Sequence, residues 1–572
     1  MKRIITFLLT AAMLIPCVSC SEPTTSDQAA ASTAVSTALT GAGDAKPVSD
    51  DSEQVNAILL AAQKRKQEIL STPTSIKKGD SYIQGETYTG TAYYVSNNGK
   101  DKNDGLTPET AWATLGRLQN VKLKPGDAVF FERGSIWRSA RMPNNVRGTK
   151  GITFSAYGAG NKPIFSGSPE NGSGSEKWKL YYNGDNGVKI WEYYKEFSEC
   201  SAIVLNHEIP VPRDTAYWDG TKYYCMDMRN EPQKKPYVVT EDLMDMRCFP
   251  MLLYPPLSLD ERAFVKGYDE NGPELVTGKL YFRCDAGNPG ELYDDIEFIA
   301  PFAFFDGMSD NQTFDNLSIT SSVFTFTSGF SNGNSTDNCL VQNCEVSWMG
   351  GGVTGYATFN ETGDTRLQLN MNSIGRNGGG ISFDGSGSTI RDNYVHNCFQ
   401  EGIALETFTE DPSSMTDNVV SGNVVEECVQ SILLCNWDME VNPNHIFKNI
   451  VVENNYSLYS GKSNWDNYIG WQYTSSAFTL QGGPCGNDGT LVVRNNVFGL
   501  SEGTVILINK YEVDYSRVFK ENTYIQYPGK MYIHIGDKDT KIKYKIPKYF
   551  DQYLGDEKSV ILTATVNTSD AK

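Results

Sequence analysis

Two acidic residues stand out for where they fall. In the fragments Gly379-Gly380-Ile381-Ser382-Phe383-Asp384 and Glu401-Gly402-Ile403-Ala404-Leu405-Glu406, a carboxyl side chain closes a short alternating run. If the two runs are neighbouring stacked strands, alternation puts both carboxyls on the face away from the apolar residues. They then lie one above the other at the strand spacing of about 4.7–4.9 Å. That is near the roughly 5–5.5 Å of a pair that cleaves a glycosidic bond with retention, and short of the roughly 6.5–9.5 Å that admits a water for inversion. Two like charges so close cannot both ionise easily, so one group is held protonated and can act as an acid. One carboxylate would attack the anomeric carbon; the other would protonate the leaving oxygen and later activate water. A structural role is open for each as well. Asp384 precedes Gly385, and Asp-Gly is a common turn; Glu406 could close its strand as an exposed polar residue.

What would stack these runs is a repeat with a constant inner offset and a variable outer length. Fragments opening on Asn343, Asn372, Asn393, Asn423, Asn455 and Asn496 are mostly followed, nine or ten residues on, by a second short strand. Those strands begin at Val353, Ile381, Ile403, Ile432 and Ile506, and an insertion delays Phe478, the partner of Asn455. A coil of stacked strands requires this, because each turn must set its apolar residues on the turn below while solvent-facing loops grow freely. The recurrent Asn suits an internal turn, where its amide can bond the Asn above and tolerate left-handed backbone. The expectation is an all-β right-handed parallel β-helix.

Aligned on this repeat, Val353, Ile381, Ile403, Ile432, Phe478 and Ile506 form one inward column, and Gly355, Phe383, Leu405, Leu434, Leu480 and Ile508 the next. The outward position after them holds Tyr356, Asp384, Glu406, Cys435, Gln481 and Asn509. Long excursions flank it at 407–415, 436–445 and 457–477, carrying Phe408, Asn436, Trp437, Asp438, Glu440, Trp465 and Trp471. Aromatic rings on such loops make platforms for sugar rings, although a large loop also needs aromatic residues to pin it down. Tyr356, Phe408, Asn436, Trp437, Asp438, Trp471 and Gln481 are therefore the expected substrate contacts, with Asp438 and Glu401 as reserve carboxylates. Arg376 and Arg391 lie near the same turns, where structural pairing suits them better than substrate contact.

The rest of the chain has its own divisions. Lys2 and Arg3 precede the apolar stretch 4–16, and Cys17-Val18-Ser19-Cys20 resembles a bacterial lipobox with Cys20 as the lipidated residue, although Cys17 stands where Leu is usual. Residues 1–20 read as a lipoprotein-type signal, with ordinary signal cleavage as the alternative, and 21–50 as a flexible linker. Residues 51–75 read as a short amphipathic helix and 83–176 as the first turns of the coil. Residues 177–297, rich in Trp and Tyr, read as an inserted, small, sandwich-like β-rich domain, and 298–560 as the main coil. Cys398 and Cys428 share a repeat position, and a disulfide or a ladder of buried thiols fits equally. Asp101, Asn103 and Asp104 fit a turn better than a calcium loop.

Composition narrows the partner. The 572 residues carry 50 Lys+Arg against 69 Asp+Glu, a formal charge of −19, with no basic cluster that would bind nucleic acid. The acidity also disfavours polyanionic glycans. Four scattered His, and no CxxC pair among the ten Cys beyond the signal region, give no metal or cofactor site, and two carboxylates need none.

Residues 93–137 carry a resemblance. The pieces from Gly99 through Asp101, Asn103-Asp104-Gly105 and Thr107-Pro108 to Trp112, then Pro125-Gly126-Asp127 through Phe131 and Arg133-Gly134 to Trp137, resemble the first turns of many extracellular bacterial β-helix proteins of the pectate-lyase-like superfamily. With the interrupting segment, the architecture resembles β-helix glycoside hydrolases of the β-xylosidase-like and fucosidase/xylanase-like families. The resemblance implies an oligo- or polysaccharide substrate, with xylose-containing ones first, Asp384 as nucleophile and Glu406 as acid/base. A polysaccharide lyase is the nearest enzymatic rival, but it would want a Lys or Arg base, and the candidate column has no Lys before Lys510. A non-catalytic, glycan-binding or structural surface lipoprotein is the reading from another class.

Overall fold

The structure, a computed structural model, describes residues 51–183, 187, 189–197, 200, 202–212, 216–218, 223–225, 237–239, 251–254, 278–306, 308–327, 336–350, 352–354, 357–358, 368–369, 375–407, 415–436, 447–462, 475–481, 490–509, 518–536, 541–544, 554–556 and 558–564. Three long sheets dominate it: sheet I with eleven strands, sheets II and III with ten each. One turn of the coil shows the logic. Thr389–Arg391 lies in sheet II, Tyr394–His396 in sheet III and Glu401–Thr407 in sheet I, and Val419–Ser421 returns to sheet II one level on. Neighbouring turns pair in parallel, with Ile390 on Val420, Val395 on Val425 and Ile403 on Ile432. The chain is a parallel β-helix.

Each short strand gives alternate side chains to the interior. Val341, Ile390, Val420, Val452 and Val493 do so from sheet II, and Val346, Val395, Val425 and Phe498 from sheet III, all fully buried in one continuous core. β-branched residues suit this extended, crowded geometry.

The register is held by a buried asparagine ladder. Asn393 Nδ2 donates to Asn423 Oδ1 at 3.0 Å, Asn423 to Asn455 at 2.9 Å, Asn455 to Asn496 at 2.9 Å and Asn496 to Asn522 at 3.0 Å. Each Oδ1 also accepts the backbone N–H of the residue before it in the ladder, and each Nδ2 donates to a backbone carbonyl such as Val341, Ile390 or Val420. Asp556 closes the series by accepting from Asn522 and from Tyr524. The left-handed backbone expected at the Asn falls one residue earlier, at Asp392, Gly422, Asn454, Asn495 and Glu521.

Two of the expected repeat fragments are corrected. Cys344, not Asn343, holds the ladder position, its N–H donating to Asn393 Oδ1 at 2.9 Å, and Asn343 itself is left-handed. Val353 belongs to no turn of the coil: Gly352–Thr354 pairs antiparallel with Gly375–Asn377. The strand beneath Ile381 is Ser322–Thr327, with Phe326 opposite Ile381. The chain leaves the coil at Gly350 and rejoins at Gly378, where an added Cβ would lie 2.6 Å from the Gly350 Cα. Val353 is thus not part of the inward columns, and Gly355 and Asn372 lie outside the described residues.

The ends are closed differently. Below the first sheet I strands, the 3₁₀ helix Leu115–Asn120 and the helix Asn144–Arg147 bury Leu115, Leu118 and Val146 in the core. At one edge of sheet I the antiparallel strands Ala202–Leu205 and Ile209–Pro212 are added to Ile296–Asp306, and at the other Lys541–Tyr544 pairs antiparallel with Met531–Gly536. Trp178–Asn183, Lys189–Phe197, Gly278–Arg283 and Met251–Tyr254 form a separate antiparallel sheet, within the compact unit that spans residues 51–572.

The helix Ser52–Ser71 lies along sheet III. It buries Val55, Ala62 and Ile69, a narrow seven-residue stripe. Val55 packs with Ile525 and Leu562, Ile69 with Tyr394 and Val424, on strands three to five steps apart in sheet III. Between the centres of the two groups this is about 19 Å, and the helix covers about 21 Å between those residues. Asp51 accepts the N–H of Thr563 at 3.0 Å, and Lys66 bonds Glu426 at 3.1 Å while lying over the Tyr394 ring.

Asn423→Leu keeps the volume and removes the amide, orphaning buried partners on both sides. Urea denaturation should show a loss of about 4 kcal/mol, at about 1 kcal/mol for each of the broken side-chain bonds, whereas replacing the exposed, left-handed Asn449 by Gly should cost far less.

Candidate functional site

Strands in the later turns of sheet I begin with two consecutive residues that face inward. Ala477 and Phe478, and likewise Val505 and Ile506, all sit in the core. A Cβ on Gly380 would meet Val395 and Cys398, and one on Gly402 would meet Val425 and Cys428. This kink sets the parity of the rest of each strand: Ile403 and Leu405 point in, while Ala404 and Glu406 point out; Ile381 and Phe383 point in, while Ser382 and Asp384 point out. It also turns Glu401, just before the kink, to the outer face.

Asp384 and Glu406 each lie one step beyond the paired residues Phe383 and Leu405, so they stand on adjacent parallel strands in one outward column. The column continues through Cys435 and Gln481 to Asn509, each paired in register with its neighbour. Both carboxyls are 5% exposed. Glu406 is therefore not an exposed strand end, and Asp384 and Glu406 both face outward yet are buried. Gly385, left-handed at φ +148°, does turn the chain straight after Asp384.

Glu401, held in reserve on sequence grounds, gains weight. It is 4% exposed, and burial, together with the Cys428 thiol, pushes its carboxyl up to about 8 against opposing hydrogen bonds from the backbone and Gln400. The Cys435 thiol is pushed well up by burial and by the charges of Glu406 and Glu401, which places all three on one patch. The sequence signal for Glu401 was blurred because strict alternation, counted back from Glu406, turns it inward.

The other expected contacts divide. Gln481 is half-buried at the end of Ser476–Gln481, in the column. Asn436 ends the strand Gln430–Asn436, and only its backbone is described. Tyr356 lies outside the described residues. So do Phe408, Trp437, Asp438, Glu440, Trp465 and Trp471, and also Cys20. Arg391 donates to Gln342 Oε1 at 2.8 and 3.1 Å, a structural pairing. The side chain of Arg376 is not described.

Cys398 and Cys428 are free buried thiols, each donating to a backbone carbonyl two residues earlier. Asp101 accepts from the N–H groups of Ala113 and Thr114 and from Thr114 Oγ1, all at 2.9 Å, which makes it a turn residue.

A family profile described as "Right handed beta helix region" matches residues 305–471. Among solved structures, the complex of XylC with xylose aligns at 11% identity over 83% of this chain and 70% of that one, with a TM-score of 0.42. The GH136 lacto-N-biosidase from Eubacterium ramulus aligns at 12% identity over 83% and 68%, TM-score 0.31. Pectate lyase Pel9A aligns at 9% over 84% and 78%, TM-score 0.32. The likeness is to β-helix glycoside hydrolases and polysaccharide lyases alike, and at these identities it concerns the fold. No curated protein matches the sequence.

Because the folded state keeps the Glu401 proton up to about pH 8 and the unfolded chain loses it near 4.5, stability should be full below pH 4.5 and fall as pH rises toward 8. Glu401→Gln should remove a slope of about 1 kcal/mol per pH unit in that window, read from urea midpoints at pH 5 to 8. An unchanged slope would mean that the carboxyl is already ionised.

Proposed function

We propose that the protein is a glycoside hydrolase acting with retention on a neutral glycan. Asp384 is the nucleophile and Glu406 the acid/base. The observation that supports this reading is the column itself: two buried carboxyls, each one residue beyond the paired Phe383 and Leu405 of adjacent parallel strands, where a strand spacing of about 4.7–4.9 Å suits the roughly 5–5.5 Å of a retaining pair. Asp384 attacks the anomeric carbon as Glu406 delivers its proton to the leaving oxygen. Glu406 then takes a proton from water, which displaces the sugar from Asp384. The pair suits this exchange because each carboxyl shifts the other: a charge on Asp384 keeps Glu406 protonated, and esterifying Asp384 removes that charge, so Glu406 becomes the base. Xylose-containing substrates come first, supported by the resemblance of the architecture to β-xylosidase-like β-helix glycoside hydrolases. The acidic balance of the chain supports a neutral substrate.

The test is hydrolysis of aryl β-xyloside, α- and β-arabinoside, fucoside, glucoside and galactoside by residues 21–572. One sugar should turn over with retained anomeric configuration by NMR, and both Asp384→Ala and Glu406→Ala should lower kcat by about 10³-fold or more. Azide should restore Asp384→Ala with inverted product. Turnover that survives both changes would place the site elsewhere.

We also propose that the protein is exported and held at the membrane by lipid on Cys20, supported by Lys2, Arg3, the apolar stretch 4–16 and the lipobox-like run. Cells fed radiolabelled palmitate should label the wild-type chain and not Cys20→Ala; equal labelling of both would contradict it.

A further inference from the structure

The helix Ser52–Ser71 and the coil do not meet everywhere. Where Arg65 reaches the bend between sheets II and III, a cavity of about 410 Å³ remains, lined by Arg65, Asp392, Ser421, Glu453, Asn454 and Tyr456. Small-molecule sites span roughly 300–1,000 Å³. Three successive turns supply the wall: Asp392 follows the strand Thr389–Arg391, Ser421 ends Val419–Ser421, and Glu453 ends Ile450–Glu453. Arg391, Ser421 and Glu453 pair in register, so the wall runs about 9–10 Å along the coil, two strand steps. This bend is the corner of the coil that sheet I does not share, so the cavity stands apart from Asp384 and Glu406.

The cavity is built from specific residues. The left-handed bend position holds Asp392, Asn454, Asn495 and Glu521 on four turns and glycine on the turn between the first two, at Gly422. A Cβ there would lie 2.5 Å from Asp392 Oδ1 and 3.2 Å from Arg65 Nη2, so the glycine leaves room for the guanidinium between the turns. Arg65 Nε donates to the Gly422 carbonyl at 3.2 Å, Nη2 to Asp392 Oδ1 and Nη1 to Glu68 at 3.4 Å. Arg494 Nε donates to Glu453 Oε2 at 2.7 Å. Each carboxylate of the wall is thus matched by a guanidinium. Among the described residues, one N–H on each of Arg65 Nη1 and Nη2, Asp392 Oδ2, Glu453 Oε1 and the side chains of Ser421 and Asn454 have no hydrogen-bond partner, and neither does the Tyr456 hydroxyl. Packing against the cluster of Ile69, Tyr394 and Val424 holds the Tyr456 ring.

We propose that this cavity is a second glycan-binding site, which holds a neutral polysaccharide on the coil away from the cleaving column. The class of ligand rests on the glycosidase reading; the site itself uses none of that column. A sugar ring presents hydroxyls that donate and accept, and an apolar C–H face. The lining answers with donors at Arg65, acceptors at Asp392 and Glu453, and groups of both kinds at Ser421, Asn454 and Tyr456. The Tyr456 ring offers a surface for the C–H face. With its charges already paired, the wall meets a neutral ligand without stranding an ion, whereas an ionic ligand of either sign would meet like charge beside its partner. A polymer held at one site on the chain is presented to the other at a raised effective concentration.

The experiment is native electrophoresis of the full chain through gels containing arabinoxylan, arabinan, galactan, β-glucan or polygalacturonate, with Glu406→Gln present throughout to prevent cleavage. At least one neutral polysaccharide should slow the protein, more than polygalacturonate does. Adding Asn454→Gly, which keeps the left-handed backbone, and Tyr456→Phe, which keeps the ring, should weaken that retention about tenfold or more, the equivalent of the lost hydrogen bonds. Equal urea midpoints show that the double change leaves the fold intact, and Ser421→Ala is the milder variant if they differ. Retention by no neutral polysaccharide, retention that ignores these changes, or stronger retention by polygalacturonate would overturn the proposal. The two readings separate. An aryl glycoside hydrolysed by a protein whose retention ignores Asn454→Gly and Tyr456→Phe sinks the second site alone. Retention that depends on those residues, in a protein that hydrolyses no glycoside, sinks the hydrolase alone.

Discussion

The structure depends on a column of asparagine amides buried at the same bend of five successive turns of the coil. Side chains in a strand alternate, so a slip of one residue exchanges the inner face for the outer. In this chain a slip would drive Asp384 and Glu406 into the apolar core and bring Phe383 and Leu405 out. The amides of Asn393, Asn423, Asn455, Asn496 and Asn522 oppose it: each bonds its neighbours above and below and a backbone carbonyl as well, so no one of them can shift alone. The loops between turns are then free to differ in length without disturbing the pair. The helix Ser52–Ser71 fastens the same turns from outside, tying the last strand of sheet III at Thr563 to the middle of the sheet at Tyr394 and Val424.

On that frame, the outer face of sheet I gathers three buried carboxyls, the small residues Ser382 and Ala404 and the unpaired Ser382 hydroxyl within two turns. Such a patch works against stability, and this is where a protein is expected to give up stability for chemistry. Burial keeps Glu401 neutral up to about pH 8. The later turns, with Leu433 and Leu507 at the corresponding positions, show the same face packed for stability.

Much of this was legible in the residues. The offset between Asn fragments and their second strands revealed the coil, and alternation placed Asp384 and Glu406 in one outward column. Three features were not. The excursion between Gly350 and Gly378 imitates a turn of the coil, because Val353 and Ile381 open similar short apolar runs; the glycine triplets at 350–352 and 378–380, which let the two ends meet, were the available signal. The double inward step at Gly402-Ile403 breaks alternation, and so concealed that Glu401 shares a face with Glu406. The burial of the pair depends on what lies over sheet I, and no local pattern in a strand encodes its cover.

The central claim is that Asp384 forms a covalent bond to the sugar. The most direct measurement is to incubate the protein with the activated 2-deoxy-2-fluoro derivative of the glycoside it hydrolyses, then digest it and sequence the labelled peptide by mass spectrometry. The fluorine slows both steps and the good leaving group restores the first, so the glycosyl-enzyme accumulates. One sugar should appear per chain, on Asp384, and Glu406→Gln should still accept it. A label on Glu406, on Glu401 or on any other residue, or steady turnover that leaves no adduct, would contradict the account.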